Sequence, residues 1–465
     1  VAQLMVVLDA TIVNIALPQA QTALHITDVN RQWVVTAYTL TFGGLLLLGG
    51  RIADYWGRKR AFLLGIIGFA LASALGGLAQ NGETLFAARA LQGGFGALLA
   101  PASLALLTTL FTDTKERARA FGVYGAIAGG GAAVGLLLGG VLTEYADWRW
   151  CLLVNVPIAL IAAAFALRLV GESRAHGNTR YDIPGAALVT LGLVSLVYGF
   201  TKAAEDGWGA RTTIAFIAIA VVLLAGFIVV ELRTSRPLVP MRILLDRTRG
   251  GAYLASLLTG AGLIGASLFM SIYFQKVLGY TPIEAGVASL PMTVGIFLVF
   301  PFATALVPRF GARVLMSAGS FITAGGLLLF TRIGIENHFW TTTLPAEIVM
   351  GVGLGLIFVP MGNAALTGVD PHDAGAAGAV VSASQQVGGS LGVALLTSLS
   401  VSAAARYAAS HAPTPLLPMQ AAVHSFHVGF AAGAVFLLIA GVAVLALVRD
   451  REEDKVAHRS TVPIG

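Results

Sequence analysis

Gly49-Gly50-Arg51-Ile52-Ala53-Asp54-Tyr55-Trp56-Gly57-Arg58-Lys59-Arg60 is a charged ribbon set between two apolar runs, 32–50 and 61–82. Each run is close to the ~20 residues that a membrane-spanning helix needs, so together they make a membrane hairpin. The four cations between positions 51 and 60 put its turn on the cytoplasmic side, where short loops carry their excess of Lys and Arg. Gly50 and Gly57 allow a sharp turn and close helix approach. That leaves Asp54 and the guanidinium groups of Arg51, Arg58 and Arg60 free to reach neighbouring helix ends. A loop that only sets topology is the plainer reading of the cations taken alone.

The rest of the composition agrees with a polytopic membrane protein. Of 465 residues, 57% are hydrophobic and 11% charged, and the mean hydropathy is +0.82. Soluble domains carry about 25% charged residues. The 56 glycines suit helices that pack closely where lipid supplies no hydrophobic drive between them. Cys151 is the single cysteine, which excludes an intramolecular disulfide. The net charge of +6 resides in short loops beside apolar runs, so it signals topology and not nucleic-acid binding.

Outward from the ribbon, the chain divides into fourteen apolar spans. They fall at 1–18, 32–50, 61–82, 90–112, 120–143, 150–167, 183–201, 212–230, 250–275, 285–308, 314–331, 341–366, 374–403 and 426–448. The first covers only about 27 Å at 1.5 Å per residue, so a short segment is expected to precede Val1. With both termini cytoplasmic, 21 of the 29 Lys and Arg lie inside, 7 lie outside, and Arg89 lies within a span. A missed or invented helix would invert every later loop and destroy that bias.

Phe310-Gly311-Ala312-Arg313 repeats Trp56-Gly57-Arg58-Lys59 after 254 positions. The expected architecture is therefore all-α, with six-helix bundles at 1–170 and 249–448. Between them lie an inserted, peripheral helix pair and its cytoplasmic linkers at 171–248, and a cytoplasmic tail follows at 449–465. Parallel repeats of this kind place substrate near the bilayer midplane, where the bundles meet.

The pattern G-x-x-x-D-x-x-G-R-K, at Gly50, Asp54, Gly57, Arg58 and Lys59, resembles the loop between the second and third helices of the major facilitator superfamily. Further stretches resemble its fourteen-helix drug:proton antiporters. One is Leu8-Asp9-Ala10-Thr11-Ile12-Val13-Asn14-Ile15-Ala16-Leu17-Pro18, and another is Arg89-Ala90-Leu91-Gln92-Gly93-Gly94-Phe95-Gly96. Others are 32–38, Trp148-Arg149-Trp150 with Asn155-Val156-Pro157, 353–360 and 385–389. The fifth span carries Gly131, Gly135, Gly139 and Gly140, and it resembles the superfamily's antiporter helix except that Leu136 replaces the usual proline. Generic close packing explains the glycine spacing equally well.

Asp9 lies about 13 Å below the outer end of its span, and Arg89 about 9 Å from the outer end of the fourth. An ionised Asp at mid-membrane costs roughly 3 kcal/mol even on lenient scales, so it faces a cavity, carries a proton or pairs with a cation. Asp9 and Arg89 are the candidate proton-coupling residues, and the resemblance implies proton transfer at this arginine. The competing readings are a structural buried Asp and an arginine that snorkels to the interface. Asn14, Tyr38, Gln92, Gln385 and Gln386 are expected around a central cavity, and interhelical hydrogen bonding is the alternative for each. Glu347 is a further cavity candidate near the outer end of the twelfth span, where interfacial solvation is the plainer expectation.

The eight histidines have no metal spacing, and no phosphate-binding glycine loop precedes a soluble helix. No metal or other cofactor is expected, and energy would come from a proton gradient. The resemblance implies a monomeric, multi-pass protein of the bacterial cytoplasmic membrane that exports lipophilic drugs or antibiotics by alternating access. Leu136 leaves open a proton-coupled importer or metabolite exporter. A scaffold would not need an intramembrane Asp and Arg at one depth, and an enzyme would need clustered nucleophiles or metal ligands.

Overall fold

Every regular element among the described residues is helical. The computed structural model describes residues 1–111, 114–173, 182–234, 237–238, 241–336, 339–369 and 374–449. Arg174, Arg180, Arg236 and the tail beyond Arg449, all counted above as cytoplasmic, lie outside these residues. The first seven helices are α1 (Ala2–Ala23), α2 (Trp33–Trp56), α3 (Arg58–Gly77), α4 (Gly82–Leu110), α5 (Thr114–Tyr145), α6 (Trp150–Leu153) and α7 (Asn155–Leu169). A middle pair follows, α8 (Ile183–Asp206) and α9 (Arg211–Arg233), and then the short α10 (Met241–Leu244). The remainder are α11 (Arg247–Ile272), α12 (Pro282–Ala288), α13 (Leu290–Phe330), α14 (Leu344–Leu366), α15 (Ala374–Ser410) and α16 (Leu417–Leu447).

Twelve spans among the described residues are long and apolar enough to cross a membrane. One of them joins α12 and α13, and α13 alone has 41 residues, roughly 60 Å of helix and twice a hydrocarbon core. It is interrupted at Gly311, whose φ of 81° and ψ of 163° are not helical. The 32-residue α5 is not among the twelve, and its described apolar stretch is Gly130–Tyr145. Several helices outrun their apolar stretches. α15 continues to Ser410 and α16 begins at Leu417, because alanine-rich ends keep the helix going where hydropathy has already fallen.

Side-chain caps define several starts. Asn81 accepts from the Thr84 backbone at 2.8 Å and Asp246 from Arg249 at 3.0 Å, while Thr281 and Glu284 form a capping box at α12. Between helices, bare glycine faces bring backbones together. A Cβ on Gly93 of α4 would run into the Tyr38 carbonyl of α2, and one on Gly388 of α15 into the Leu257 carbonyl of α11. In the two halves, α1–α7 and α11–α16, the first contact has its counterpart in that of α14 with α13, and the second in that of α5 with α1.

The middle pair divides its duties. α8 packs on both α2 and α15, with Gln32 Nε2 donating to Thr201 Oγ1 at 3.1 Å. α9 packs on α8, and only 11% of its apolar window is buried.

The ribbon of Gly49 to Arg60 forms the expected tight turn. α2 ends at Trp56 and α3 starts at Arg58, with Gly57 alone between them at φ 129°. Side chains of the loop reach neighbouring elements, but Asp54 stays within the turn. Asp54 pairs with Arg58 of the same turn at 3.0 Å, and no described contact joins it to the C-terminal half. Glu172, which follows α7, caps α3 instead, accepting from the backbones of Lys59 at 3.1 Å and Arg60 at 3.3 Å. A carboxylate belongs there because the first N–H groups of a helix lack intrahelical partners. Lys59 Nζ donates to Leu167 O at 2.9 Å and Arg51 to Pro237 O at 2.7 Å, so the loop is tied to the chain on both sides of the middle pair.

Candidate functional site

α1, α3, α4 and α7 converge on a polar cluster inside the N-terminal half. Arg89 Nη1 donates to Asp9 Oδ2 at 2.6 Å, with the two side chains 2% and 0% exposed. Arg89 Nε donates to Val34 O at 2.9 Å, and its Nη1 also reaches Gln92 Oε1 at 2.7 Å. The other carboxylate oxygen accepts from Gln92 Nε2 at 2.6 Å and from Asn155 Nδ2 at 3.2 Å. Ser73 Oγ closes the network: it accepts from Gln92 at 3.1 Å and from Asn155 at 3.1 Å, and it donates to Leu152 O at 2.7 Å. The guanidinium lies over the Tyr38 ring, 4.4 Å from its centroid. Arg89 therefore does not snorkel. Breaking one partner of so buried a pair leaves an uncompensated charge, which typically costs several kcal/mol.

Arg89 and Tyr38 also line a cavity of about 350 Å³ between the halves. Its N-terminal wall includes Ala10, Thr11, Asn14, Thr39 and Leu136, and its C-terminal wall includes Ser267, Met292, Phe297, Phe300, Phe358, Gln385 and Gln386. Apolar walls with a few oriented polar groups suit a lipophilic ligand. The Tyr38 hydroxyl and Asn14 Oδ1 are buried without hydrogen-bond partners, so both are free to meet one. Of the expected cavity residues, Asn14, Tyr38, Gln385 and Gln386 line it. Gln92 does not, because both ends of its amide are taken by Asp9, Arg89 and Ser73. Glu347 departs further from expectation. It is neither solvated nor in the cavity wall, but fully buried at the contact of α14 with α13.

The glycines of α5 form the face that α1 packs against. A Cβ on Gly131 would meet Val7, one on Gly135 Thr11, and one on Gly139 Ile12. Gly140 faces α12 instead, at Pro282 and Ile283, and Leu136 O lies against Gly286 of α12. The halves are further joined near that end. Ser271 Oγ donates to Asn14 O at 2.6 Å, Gln275 Nε2 to Ile15 O at 3.0 Å, and Lys276 Nζ to Gln21 Oε1 at 3.0 Å. Glu144 accepts from the Ile283 backbone at 3.1 Å. These joins lie at the end of the molecule remote from Gly57. At mid-depth, Thr39 and Ser390 share a hydrogen bond of 2.6 Å.

Sequence reasoning missed Ser73 and the role of Asn155. Asn155 lies in a family-like stretch, and Ser73 is one hydroxyl in an Ala/Gly-rich run with no signal of its own.

Residues 1–393 match the Major Facilitator Superfamily, and the chain belongs to that family. It is similar to the puromycin resistance protein pur8 of Streptomyces alboniger, at 48% identity over 99% of this chain and 93% of that one. The cephamycin export protein CmcT of Amycolatopsis lactamdurans is 38% identical, over 85% of this chain and 82% of that one. The tetracenomycin C resistance and export protein of Streptomyces glaucescens is 32% identical, over 85% and 73%. Among solved structures, the fold resembles the POT family transporter PepTSo with a TM-score of 0.69 at 16% identity, covering 99% of this chain and 97% of that one.

Proposed function

We propose that this chain exports lipophilic drugs or antibiotics across the bacterial cytoplasmic membrane in exchange for protons. The observation that carries the reading is the buried Asp9–Arg89 pair, whose arginine lines an apolar cavity shared by both halves. Similarity to antibiotic resistance and export proteins supports it. The bundles, 1–170 and 249–448, rock about the cavity, so that it opens first to one face and then to the other. The pair 171–248 stays with the bundles through α8, and the tail 449–465 is cytoplasmic.

In this reading the chain crosses fourteen times. The two parts of α13 on either side of Gly311 are separate crossings, and α5 is one more. The 21-to-7 cation asymmetry puts the Gly57 and Gly311 turns in the cytoplasm with both termini. The joins of α1 and α5 to α11 and α12 then close the outer face, and the cavity belongs to the inward-facing state. The protein works as a monomer without a cofactor and draws on the proton gradient. Asp9 takes up a proton in the outward-facing state and gives it up inward, as rocking of the opposite bundle changes the access of water and substrate to the Asp9–Arg89 cluster.

The test is drug-driven proton movement in acid-loaded inside-out vesicles, alongside resistance of a pump-deficient bacterial strain that makes the protein. Lumenal alkalinisation on drug addition is the expected result. Resistance without proton movement would refute antiport, and neither effect across a broad panel of lipophilic antibiotics would refute export.

A further inference from the structure

Glu347 has both carboxylate oxygens buried without a hydrogen-bond partner, and its side chain is 0% exposed. It occupies the first turn of α14, directly after a π-helical turn, Phe339–Thr343. Thr343, one turn away, carries a hydroxyl that is likewise buried and unpartnered. Helical residues four apart share a face, so the two groups form a small polar island. Around them the packing is apolar and tight. A Cβ on Gly351, one turn further on, would meet Met292 O and Gly295, and one on Gly326 would meet Met350 and Ala346.

The contrast with Asp9 is chemical. Asp9 accepts hydrogen bonds from Arg89, Gln92 and Asn155, a donor set that stabilises a carboxylate. Glu347 has no such set. The Met292 backbone is close to it but makes no complete hydrogen bond. The charged and titratable groups on the neighbouring elements are Arg309 and Arg313 on α13, Arg247, Arg249 and Tyr253 on α11, and Arg406 and Tyr407 on α15. Tyr273 and Lys276 lie in the turn after α11, and Glu284 on α12. Tyr273 donates to Gly334 O, Lys276 to Gln21, and Glu284 caps its own helix. None of them is a partner of Glu347. An unpaired carboxylate without donors in such a site is too costly to persist, whereas the neutral acid needs only one acceptor for its O–H. Thr343 Oγ, on the same face one turn away and without a hydrogen bond of its own here, would be that acceptor once the proton is in place.

We infer that Glu347 is a second proton-binding site, on the half opposite Asp9, which holds its proton in the outward-closed state and releases it when the halves rearrange. The inference rests on the antiport reading above. The reaction is protonation alone: H⁺ from the outer aqueous phase adds to one carboxylate oxygen, and its departure to the inner phase restores the carboxylate. Met292 is the link to the cavity, since it lines the cavity wall and its backbone abuts Glu347.

Two measurements decide it, both with Glu347→Gln, which keeps the shape and polarity of the neutral acid but cannot release a proton. At neutral pH, the infrared difference spectrum of wild type minus Glu347→Gln should contain the C=O stretch of a protonated carboxylic acid. In proteoliposomes, protons moved per drug should fall by about half, as expected when one of two intramembrane acids is silenced. Absence of the band, or an unchanged proton-to-drug ratio in a wild type that does move protons, overturns the proposal. A wild type that binds drug but moves no protons instead overturns the antiport reading, while the band still reports the protonation of Glu347. Thr343→Val serves as the second variant: it should shift the frequency of that band, and an unshifted band removes Thr343 as the acceptor.

Discussion

Arg89 grips one oxygen of Asp9 at 2.6 Å while Gln92 holds the other at the same distance, so the carboxylate is saturated by donors from two directions. An asparagine at position 9 could accept from only one of them. Its amide N–H₂ would face either Arg89 or the Gln92 and Asn155 donors, and flipping Gln92 only moves the clash onto Arg89. Asp9→Asn is therefore expected to lower stability by about 1–3 kcal/mol, the cost of an unpaired buried group. It should abolish proton release through Asp9, which with Glu347 as a second site lowers the protons moved per drug by about half, while retaining substrate binding. The measurements are thermal unfolding in detergent, vesicle pH and equilibrium binding. Undiminished proton movement would remove Asp9 from the coupling mechanism.

Gly57 is expected to resist any substitution. Its φ of 129° is costly for other residues, of order 1–3 kcal/mol, and a Cβ there would lie 2.7 Å from the Glu172 carboxylate. Gly57→Ala should therefore reduce both thermal stability and transport rate. Glu172→Ala, combined with it, removes the steric part but not the backbone strain. Full recovery in the double variant would mean that the backbone conformation itself carries no cost.

Closure at the end remote from Gly57 depends on α5 meeting α12. Gly140→Val would push a side chain into Ile283 Cα, 2.7 Å from the nearest added atom, and into Pro282 O at 2.8 Å. With Cys151 replaced, a cysteine at the cavity residue Ser267 should then react faster with an impermeant thiol reagent from outside. Equal rates with and without Gly140→Val would show that this contact does not hold the gate.

The proposed orientation has a direct test. In the same cysteine-free background, single cysteines at Gly171 and Gly209, both in open space and neither at positive φ, report the two faces. Gly171 should react only from the cytoplasm and Gly209 only from outside. The reverse pattern would invert the proposed topology.

Much of the architecture was legible in the residue order, because hydropathy over about 20 residues and the cost of charge in lipid are local properties. The hairpin at Gly57, its echo at Gly311, and the matching depths of Asp9 and Arg89 all follow from position along apolar runs. The same reading located four of the residues that line the cavity, Asn14, Tyr38, Gln385 and Gln386, as polar side chains in family-like apolar spans. Partnership is different, because it depends on which helices meet and at what register. Asp54 and Glu172 illustrate this: both are acids near one turn, yet the return of the chain after α7 gives the cap of α3 to Glu172 and leaves Asp54 to Arg58. Ser73 and Asn155 join Asp9 only because α3 and α7 converge on α1 and α4. Glu347 is the clearest case. One-dimensional position put it near an interface, where water would solvate it, but the tight contact of α13 with α14 removes both water and hydrogen-bond partners. What a side chain is came from the sequence, and what it lacks was decided by packing.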